Sequence, residues 1–373
     1  MRGMEYSGYP VDEFEALYTE VSRLFNIIDY YQYNGSYVFK VEYDKNLKTK
    51  FNKLRETLKN IGYIPLIDKE GDHLKITIYK FGEVKAGGER RALYLFLATL
   101  ATILIDGYIR SSAPFYYDII RGYNPWVMTI LYTVSLLAII GIHELGHKIV
   151  LSYYKIEASL PNFIPGIPGI LPTFGAVISQ REVPANRDIL FDTGISGPIA
   201  GLIATILVSI YSALTAPIIS METYKMLELK YGPGTPFPVP PIYSFIIHLV
   251  RKVPEGDYVI IVTPLVWAAV VGFLITGLNL LPAWQLDGGH MARAVVGEKY
   301  HSILTIISIG ILMVTGYMLM GFLVLILYFL SGGRGVRPLD DVSGIALWRK
   351  ILFIIFFALA FLCLPIQFPL PQI

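Results

Sequence analysis

Long apolar stretches separated by short polar ones fill most of the chain after residue 90. A helix rises about 1.5 Å per residue, so about 20 apolar residues cross a hydrocarbon core about 30 Å thick. The fifth of the six stretches is too long for one ordinary crossing, and we expect it to tilt or to fold back near Gly316 and Tyr317. The pattern predicts six to seven transmembrane helices, from the stretches 92–109, 126–154, 189–218, 258–281, 301–330 and 348–364.

The first 88 residues have a different pattern, without a long apolar stretch or a secretory signal peptide. Apolar residues recur there with the period of a helix in two segments and alternate with polar residues in a third. A turn-forming tetrapeptide, 69–72, separates two further short strand-like runs. These patterns predict helices over 11–28 and 46–60, a strand over 36–43 and a hairpin of 63–67 with 73–79.

The two patterns divide the chain into a small soluble α+β domain, 1–88, a transmembrane domain, 89–366, and a short tail, 367–373. Basic residues concentrate on the cytosolic side of membrane proteins, which places the N-terminal domain there. A fold-back in the fifth stretch favours seven crossings over six, because it collects most of the flanking basic residues on that side. These residues are Lys85, Arg90, Arg91, Arg334, Arg337, Arg349 and Lys350.

Candidate chemistry lies inside the second apolar stretch, in the pentapeptide His143-Glu144-Leu145-Gly146-His147. Two histidines four residues apart project from one face of a helix and can hold a single Zn²⁺, while the adjacent glutamate can act as a base. Ionisable groups within a membrane helix cost several kcal/mol and persist only with a partner or a role. The alternative is a chance spacing, with the side chains hydrogen-bonded inside a helical bundle.

A tetrahedral zinc site needs a third protein ligand, and Asp287 is the candidate. It follows the fourth apolar stretch and stands before Gly288 and Gly289, where a helix pattern is interrupted. Taken alone, this carboxylate could instead cap or solvate a helix terminus. His290 could also reach the site, although a position after two glycines favours an interfacial role.

At this point the motifs resemble the site-2 protease family of intramembrane zinc metalloproteases, and within it the archaeal and plant-plastid branch. The resemblance covers most of residues 90 to 366, while the N-terminal part is matched only loosely. It is carried by the HExxH pentapeptide at 143–147, an N-x-x-P-x-x-x-L-D-G segment at 279–288, a Gly-Pro motif at 194–201, the flanking loop 172–178 and a G-x-R-P-L-D-D-V segment at 335–342.

The resemblance implies regulated intramembrane proteolysis: Zn²⁺ as cofactor and transmembrane proteins as substrates, in the lipid bilayer of the cell. It also implies that Asn279 holds the substrate backbone or polarises its carbonyl. A buried asparagine that satisfies helix packing is the competing interpretation. The small residues Gly194, Gly197 and Gly201 are expected to let the third membrane helix pack closely against its neighbours, with Pro198 adding a bend.

Residues 159–183, between the second and third helices, are apolar but too rich in proline and glycine to form a spanning helix. Such a backbone is tolerated at membrane depth only where protein or a water-filled cavity satisfies it, so a re-entrant loop is expected. The part 173–179 has strand-like composition, and Phe174, Gly175 and Ala176 are predicted to bind an unwound substrate by β-augmentation. An ordinary cytosolic loop is the alternative.

Composition supports a membrane protein, with 54% hydrophobic and 16% charged residues and a mean hydropathy of +0.53. A net charge of +2 and the lack of a basic run argue against nucleic-acid binding. Cys363 is the single cysteine, which excludes a thiolate zinc site and an intrachain disulfide. Two other classes stay open: a transporter that uses Asp106 and Asp192 as pathway residues, and a catalytically silent scaffold. The sequence does not indicate an oligomeric state.

Overall fold

The computed structural model describes residues 11–80, 88–234, 237–251 and 258–365. The chain is mainly helical in these ranges and divides into two compact units. The domain limits at residues 88 and 366 stay predictions, and the tail 367–373 lies outside the described residues. The first unit consists of described residues in 11–80, Val183–Leu190 and Val336–Leu347, and the second of those in 88–182, Phe191–Gly335 and 348–365.

An antiparallel sheet with strand order β1-β2-β4-β3 forms the centre of the first unit. The apolar faces of two helices cover one side of it, where Leu17, Phe51 and Leu54 are buried against Phe39 and Ile76. The elements are α1 (Val11–Ser22), β1 (Ile27–Tyr33), β2 (Ser36–Val41), α2 (Leu47–Asn60), β3 (Tyr63–Glu70) and β4 (His73–Lys80).

The predicted strand over 36–43, the helix over 46–60 and the hairpin are confirmed as β2, α2 and β3–β4. The prediction of a helix as far as residue 28 is wrong, because α1 ends at Ser22 and β1 begins at Ile27. β1 is an edge strand whose residues after Ile27 are all exposed, so it lacks the alternation of apolar and polar positions from which a strand is predicted.

Two segments from far along the chain complete the first unit at the open edge of β3. The backbone N–H of Ile67 donates to the carbonyl oxygen of Leu339 at 3.0 Å. On the other side of the same segment, the N–H groups of Leu339 and Asp340 donate to the carbonyl oxygens of Pro184 and Ala185, each at 2.9 Å. Leu339 packs into the core of this unit with 7% of its surface exposed.

Side-chain ion pairs also join the three pieces of the first unit. Arg187 Nε lies 2.9 Å from Asp341 Oδ1. Arg337 pairs with Asp68, and Lys48 pairs with Asp188. The pieces are therefore tied by backbone hydrogen bonds, apolar burial and charge.

Helices dominate the second unit, and four helices of the described chain are long and apolar enough to cross a membrane: α3, α5, α6 and α10. Asn124 Oδ1 caps α5 by accepting from the backbone N–H of Trp126 at 2.9 Å, with Pro125 at the first helical position. The helices are α3 (Glu89–Ser111), α4 (Tyr116–Ile119), α5 (Pro125–Tyr153), α6 (Arg187–Thr215), α7 (Met221–Tyr231), α8 (Pro241–Val250), α9 (Pro264–Asn279), α10 (Asp287–Val314), α11 (Met318–Leu330) and α12 (Leu347–Cys363).

The fifth apolar stretch is broken at the expected place. α10 ends at Val314 and α11 begins at Met318, and Gly316 between them has a φ of 92°, a conformation that favours glycine. α10 is itself interrupted at Gly297, which has φ 79° and ψ 178°. α9 and α11 are shorter apolar helices, so six or seven crossings stay a prediction.

Apart from the ends of the predicted membrane stretches 189–218 and 258–281, the segment between α6 and α9 was not predicted to form any element. It contains α7, α8 and a short antiparallel pair, β7 (Ile218–Ser220) with β8 (Tyr258–Ile260). The predicted fourth membrane stretch, 258–281, therefore begins as a strand and becomes helical only at Pro264. β7 and β8 are three residues each, too short to produce a periodic signal.

Residues predicted to form a strand-like loop make an antiparallel hairpin of β5 (Asn162–Ile167) and β6 (Leu171–Val177), which packs against α3. The pairing shifts between Phe163 and Pro165, a bulge that accommodates proline within a strand. In the described ranges, no third strand pairs with β5 or β6.

Candidate metal centre

Helix α5 presents both histidines of the pentapeptide on one face. His143 and His147 are one turn apart, and their Nε2 atoms lie 3.2 Å from each other. Both side chains are largely withdrawn from solvent, with 5% of His143 exposed. Two imidazole nitrogens at this separation face a common point, as ligands of one ion do.

Asp287 completes a triangle of ligand atoms with the two histidines. Its Oδ2 lies 3.1 Å from His143 Nε2, and its Oδ1 lies 3.2 Å from His147 Nε2. Tetrahedral zinc with ligands at about 2.0–2.1 Å separates neighbouring ligand atoms by about 3.3 Å. Asp287 Oδ2 is buried and, among the described residues, accepts no hydrogen bond. A buried carboxylate oxygen that has no hydrogen-bond donor and faces an imidazole nitrogen fits a metal ligand.

A tight turn before α10 places Asp287. Cβ atoms added at Gly288 and Gly289 would lie 2.2 Å from the carbonyl oxygen of Leu280 and 2.3 Å from that of Trp284. Only glycine therefore allows the first turn of α10 to pack against the segment that precedes it. The Gly-Gly pair thus has a steric role in bringing Asp287 to α5.

A backbone carbonyl orients one of the histidines. His147 Nδ1 lies 2.8 Å from the carbonyl oxygen of Thr193 and donates to it, since a carbonyl can only accept. The proton is then on Nδ1, and the Nε2 lone pair points towards Asp287 and His143. This is the usual way in which an outer partner fixes the tautomer of a metal-binding histidine.

The small residues of α6 provide the space for both imidazole rings. A Cβ at Gly197 would lie 2.1 Å from His147 Nε2, and one at Gly201 would lie 2.9 Å from His143 Nδ1. A Cβ at Gly194 would lie 2.8 Å from the carbonyl oxygen of Asp287. The close packing expected of these glycines is therefore observed, and the groups that they contact belong to the candidate ligands.

The residues predicted to act as base or to bind substrate lie at different distances from the three ligand atoms. Glu144 is buried beside it and close enough to His147 and Asp287 to interact with both electrostatically. Asn279 Nδ2 lies 3.5 Å from His143 Nε2. Phe174, Gly175 and Ala176 lie in β6, and no hydrogen bond or ion pair within the described ranges links them to the ligands.

The four remaining histidines separate into two groups: His290 and His301 are largely withdrawn from solvent, and His73 and His248 are exposed. His301 Nε2 lies 3.0 Å from the carbonyl oxygen of Trp284. His290 lies one turn after Asp287, and its buried Nδ1 has no hydrogen-bond partner among the described residues. His248 Nδ1 lies 2.7 Å from the carbonyl oxygen of Ser244 in its own helix. The ligand set of His143, His147 and Asp287 is the one group of histidine, cysteine and acidic side chains in the described chain close enough to share an ion.

Comparison with protein families assigns the chain to one of them. The family model described as Peptidase family M50 matches residues 131–323, which include all three candidate ligands and Glu144. The chain belongs to this family. M50 is the site-2 protease family, so the resemblance noted from the motifs is confirmed.

Three M50 relatives of this chain come from Arabidopsis thaliana, and their names describe chloroplastic proteins. The probable zinc metalloprotease EGY2 is 27% identical over 239 residues, which are 62% of this chain and 40% of the relative. The probable zinc metalloprotease EGY1 is 28% identical over 233 residues, 58% of this chain and 39% of the relative. The probable zinc metallopeptidase EGY3 is 24% identical over 288 residues, 72% of this chain and 48% of the relative.

This M50 chain thus spans less than half the length of these curated relatives. No solved structure matches it.

Two contributors to the M50 site were missed from the sequence. The Thr193 carbonyl oxygen has no signature, because every residue has the same backbone group. The contact of Gly197 with His147 was also missed, although the Gly-Pro motif that contains this glycine was recognised. The motif indicated close helix packing, but a helical pattern does not identify the atoms on the opposing helix.

Proposed function

We propose that this chain is an intramembrane zinc metalloprotease that hydrolyses peptide bonds within or near transmembrane segments of other membrane proteins. The triangle of His143, His147 and Asp287 ligand atoms, with sides of 3.1–3.2 Å, carries the proposal. Two of these ligands lie on α5 and the third opens α10, and both helices have the length and composition of membrane spans. Membership of M50 supports the same conclusion.

The donor set fits zinc. Two neutral imidazoles and one carboxylate are typical ligands of catalytic zinc, and they leave one tetrahedral position for water or substrate. Bound Zn²⁺ would lower the pKa of a water ligand towards 7 and polarise the scissile carbonyl. His147 is held in the ligating tautomer by Thr193, so the chain orients this ligand before any ion arrives.

Glu144 is the proposed general base. It lies directly after His143 and is buried near both His147 and Asp287. In this position its carboxylate takes a proton from the attacking water and returns it to the leaving amine. Burial keeps bulk water away from that carboxylate, so the proton passes between the reacting groups rather than to solvent.

Substrate binding is proposed for the hairpin and Asn279. A transmembrane substrate must unwind locally, and its freed N–H and C=O groups then need partners where bulk water is absent. The β6 edge, with Phe174, Gly175 and Ala176, provides backbone partners for an extended segment. Asn279, close to His143, is placed to donate a hydrogen bond to a substrate carbonyl.

We also propose a multi-pass protein of the cell membrane, with the N-terminal domain and the mouth of the active site on the cytosolic side. The basic residues that flank the apolar stretches favour this orientation. With the N-terminal part inside, α5 runs inward and brings His143 and His147 towards its cytosolic end. α9 also runs inward and delivers Asp287 to the same side.

The transporter alternative rested on two acids within apolar stretches, and both of them have partners. Asp106 pairs with Arg110 at 2.7 Å, and Asp192 pairs with Arg349 at 2.7 Å. Tyrosine hydroxyls, those of Tyr132 and Tyr154, also donate to these two carboxylates. Paired charges of this kind can hold helices together, so they do not require an ion pathway.

Two measurements on the purified full chain test the proposal. Metal analysis is expected to find one zinc per chain, and a single-span substrate reconstituted with the protein is expected to be cut within its membrane segment. Glu144→Gln keeps zinc but abolishes cleavage, because an amide cannot accept the proton. Cleavage by a zinc-loaded Glu144→Gln variant would remove Glu144 from its role. A wild-type chain that binds no metal would overturn the proposal.

A further inference from the structure

A carboxylate far from the metal ligands in sequence holds the turn of the β5–β6 hairpin. Asp106 in α3 is fully buried, and Arg110 donates to it from Nε at 2.7 Å and from Nη2 at 3.2 Å. The Tyr132 hydroxyl of α5 donates to the same carboxylate. The fourth donor is the backbone N–H of Gly169, in the turn between β5 and β6, at 2.7 Å from Oδ1.

The same cluster reaches two further parts of the second unit. The Arg110 guanidinium lies 3.9 Å from the ring centroid of Trp267 in α9, a cation–π contact. The Thr102 hydroxyl, one turn before Asp106, donates to the carbonyl oxygen of Pro172 at 2.9 Å. α3 therefore holds the hairpin within its turn and at the start of β6.

The attachment fixes how far β6 extends along α5. His143 follows Tyr132 by eleven residues, which is about 16 Å along a helix. A strand covers about the same length in five residues. β6 begins at Leu171, directly after the anchored turn, and five residues lead from there to Ala176. Because β6 packs against α5, this length would bring the segment 174–176 to about the depth of the metal ligands.

We propose that Asp106 is a positioning residue that sets the depth of the β6 edge and thereby selects which substrate peptide bond is cut. This proposal rests on the proposed proteolytic function. A strand that pairs with β6 follows its register, and a shift of one residue moves the paired backbone by about 3.3 Å and turns every side chain to the other face. If the hairpin were released from Asp106, the paired substrate would shift, and neighbouring peptide bonds of the substrate would reach the same metal site.

Asp106→Asn tests the proposal, with Thr102→Val as a second, milder variant. The amide carries no charge and has one accepting oxygen for four donors, so its NH2 group would face two of those donors. Valine removes the hydroxyl bonds to Pro172 and Thr99 and leaves the buried charges intact. We measure zinc content, hydrogen exchange of residues 162–177 and, by mass spectrometry, the bonds cut in a single-span substrate. We expect zinc to stay at the wild-type level and the hairpin amides to exchange about tenfold faster in Asp106→Asn.

Cleavage by Asp106→Asn is expected to spread from one main bond to its neighbours, with a smaller spread for Thr102→Val. Asp192→Asn is the matched control, because Asp192 also pairs with one arginine and one tyrosine but makes no hydrogen bond to the hairpin in the described structure. It is expected to leave hairpin exchange unchanged. If Asp106→Asn proves too unstable to purify, the Thr102→Val results decide.

Two results would overturn the proposal. Unchanged hairpin exchange in both variants would show that Asp106 and Thr102 do not hold the turn. Faster exchange with the wild-type cleavage bond retained would show that hairpin depth does not select the bond. A zinc-loaded wild type that cuts no membrane segment would instead contradict the proposed function, and the exchange data would still decide whether Asp106 anchors the hairpin.

Discussion

At the scale of single residues, the candidate metal centre depends on the space left by a glycine as well as on its ligands. Gly197 of α6 faces the imidazole of His147, and a Cβ there would lie 2.1 Å from Nε2, the ligating nitrogen. The neighbouring atoms are those of a buried ring that is also held by Thr193. A larger residue at position 197 would therefore push this ring away from Thr193 and from the other two ligands.

Replacing Gly197 with alanine is therefore expected to lower zinc affinity by about 10- to 100-fold or more, with a parallel loss of proteolysis. Metal content after dialysis against a graded zinc buffer measures the effect. Gly141→Ala is the control, since no heavy atom lies within 4 Å of a Cβ at Gly141 in α5. Normal zinc affinity in Gly197→Ala would show that α6 does not pack against the ligand as described.

Single alanine substitutions of His143, His147 and Asp287 are expected to lower both bound zinc and activity to near background. Each removes one of three protein ligands, and two ligands hold zinc poorly. His73→Ala and His248→Ala serve as controls, because both side chains are exposed. Stoichiometric zinc in Asp287→Ala would point to His290, one turn further along α10, as a replacement ligand.

The grouping of the three candidate ligands was predictable, and the reason is geometric. His143 and His147 could be paired because a helix fixes the direction of residues four apart. Asp287 could be added because zinc requires a third ligand and cysteine was excluded. Thr193 and the contact made by Gly197 could not be predicted, since they depend on how α6 is rotated against α5, which no local pattern contains.

At the scale of elements, the β5–β6 hairpin is the feature that connects the fold to the proposed mechanism. Its strand character was predictable from composition, because proline and glycine exclude a helix there. Its attachment to Asp106 was not, since the acid and the turn are 63 residues apart. β1 was missed for a different reason, as an exposed edge strand shows no alternation.

Proline in the middle of β6 is expected to reduce cleavage strongly while leaving zinc content normal. Ala176→Pro removes a backbone donor from the strand and resists pairing. Gly175 is a poorer position for the test, because its φ of 90° is incompatible with proline and the hairpin itself would distort. Cleavage rates are compared for substrates with stable and with helix-destabilised membrane segments. Wild-type rates in Ala176→Pro would exclude β6 pairing.

At the scale of the whole molecule, the first unit is assembled from three pieces of chain. Neither Val183–Leu190 nor Val336–Leu347 has a pattern that predicts this, since each is short and mixes apolar with charged residues. The likeness of 335–342 to a family motif marked that segment without indicating what it contacts. The contacts are with β3 and Pro184, which only the folded chain reveals.

Leu339→Ala is expected to destabilise the first unit by roughly 2 to 5 kcal/mol, because it leaves a cavity in that core. Chemical unfolding of the purified chain, followed by hydrogen exchange of β3 and β4, measures the change. Leu347→Ala is the control in the same segment, with 71% of Leu347 exposed. Equal stability of the two variants would mean that Leu339 is not part of the core.

The first unit is assembled from three pieces of chain, and this restricts the number of membrane crossings that can lie between those pieces. A compact unit lies on one side, so an even number of crossings separates any two of its pieces. Between residue 80 and Val183, α3 and α5 meet this condition. α6 then leaves that side. α9 must return to it, because Asp287, which follows α9, lies against His147. His147 in turn is bonded to Thr193, which is only three residues after Leu190. We predict that α10 and α11 form the next pair and that α12 crosses last. The predicted total is then seven crossings, an odd number.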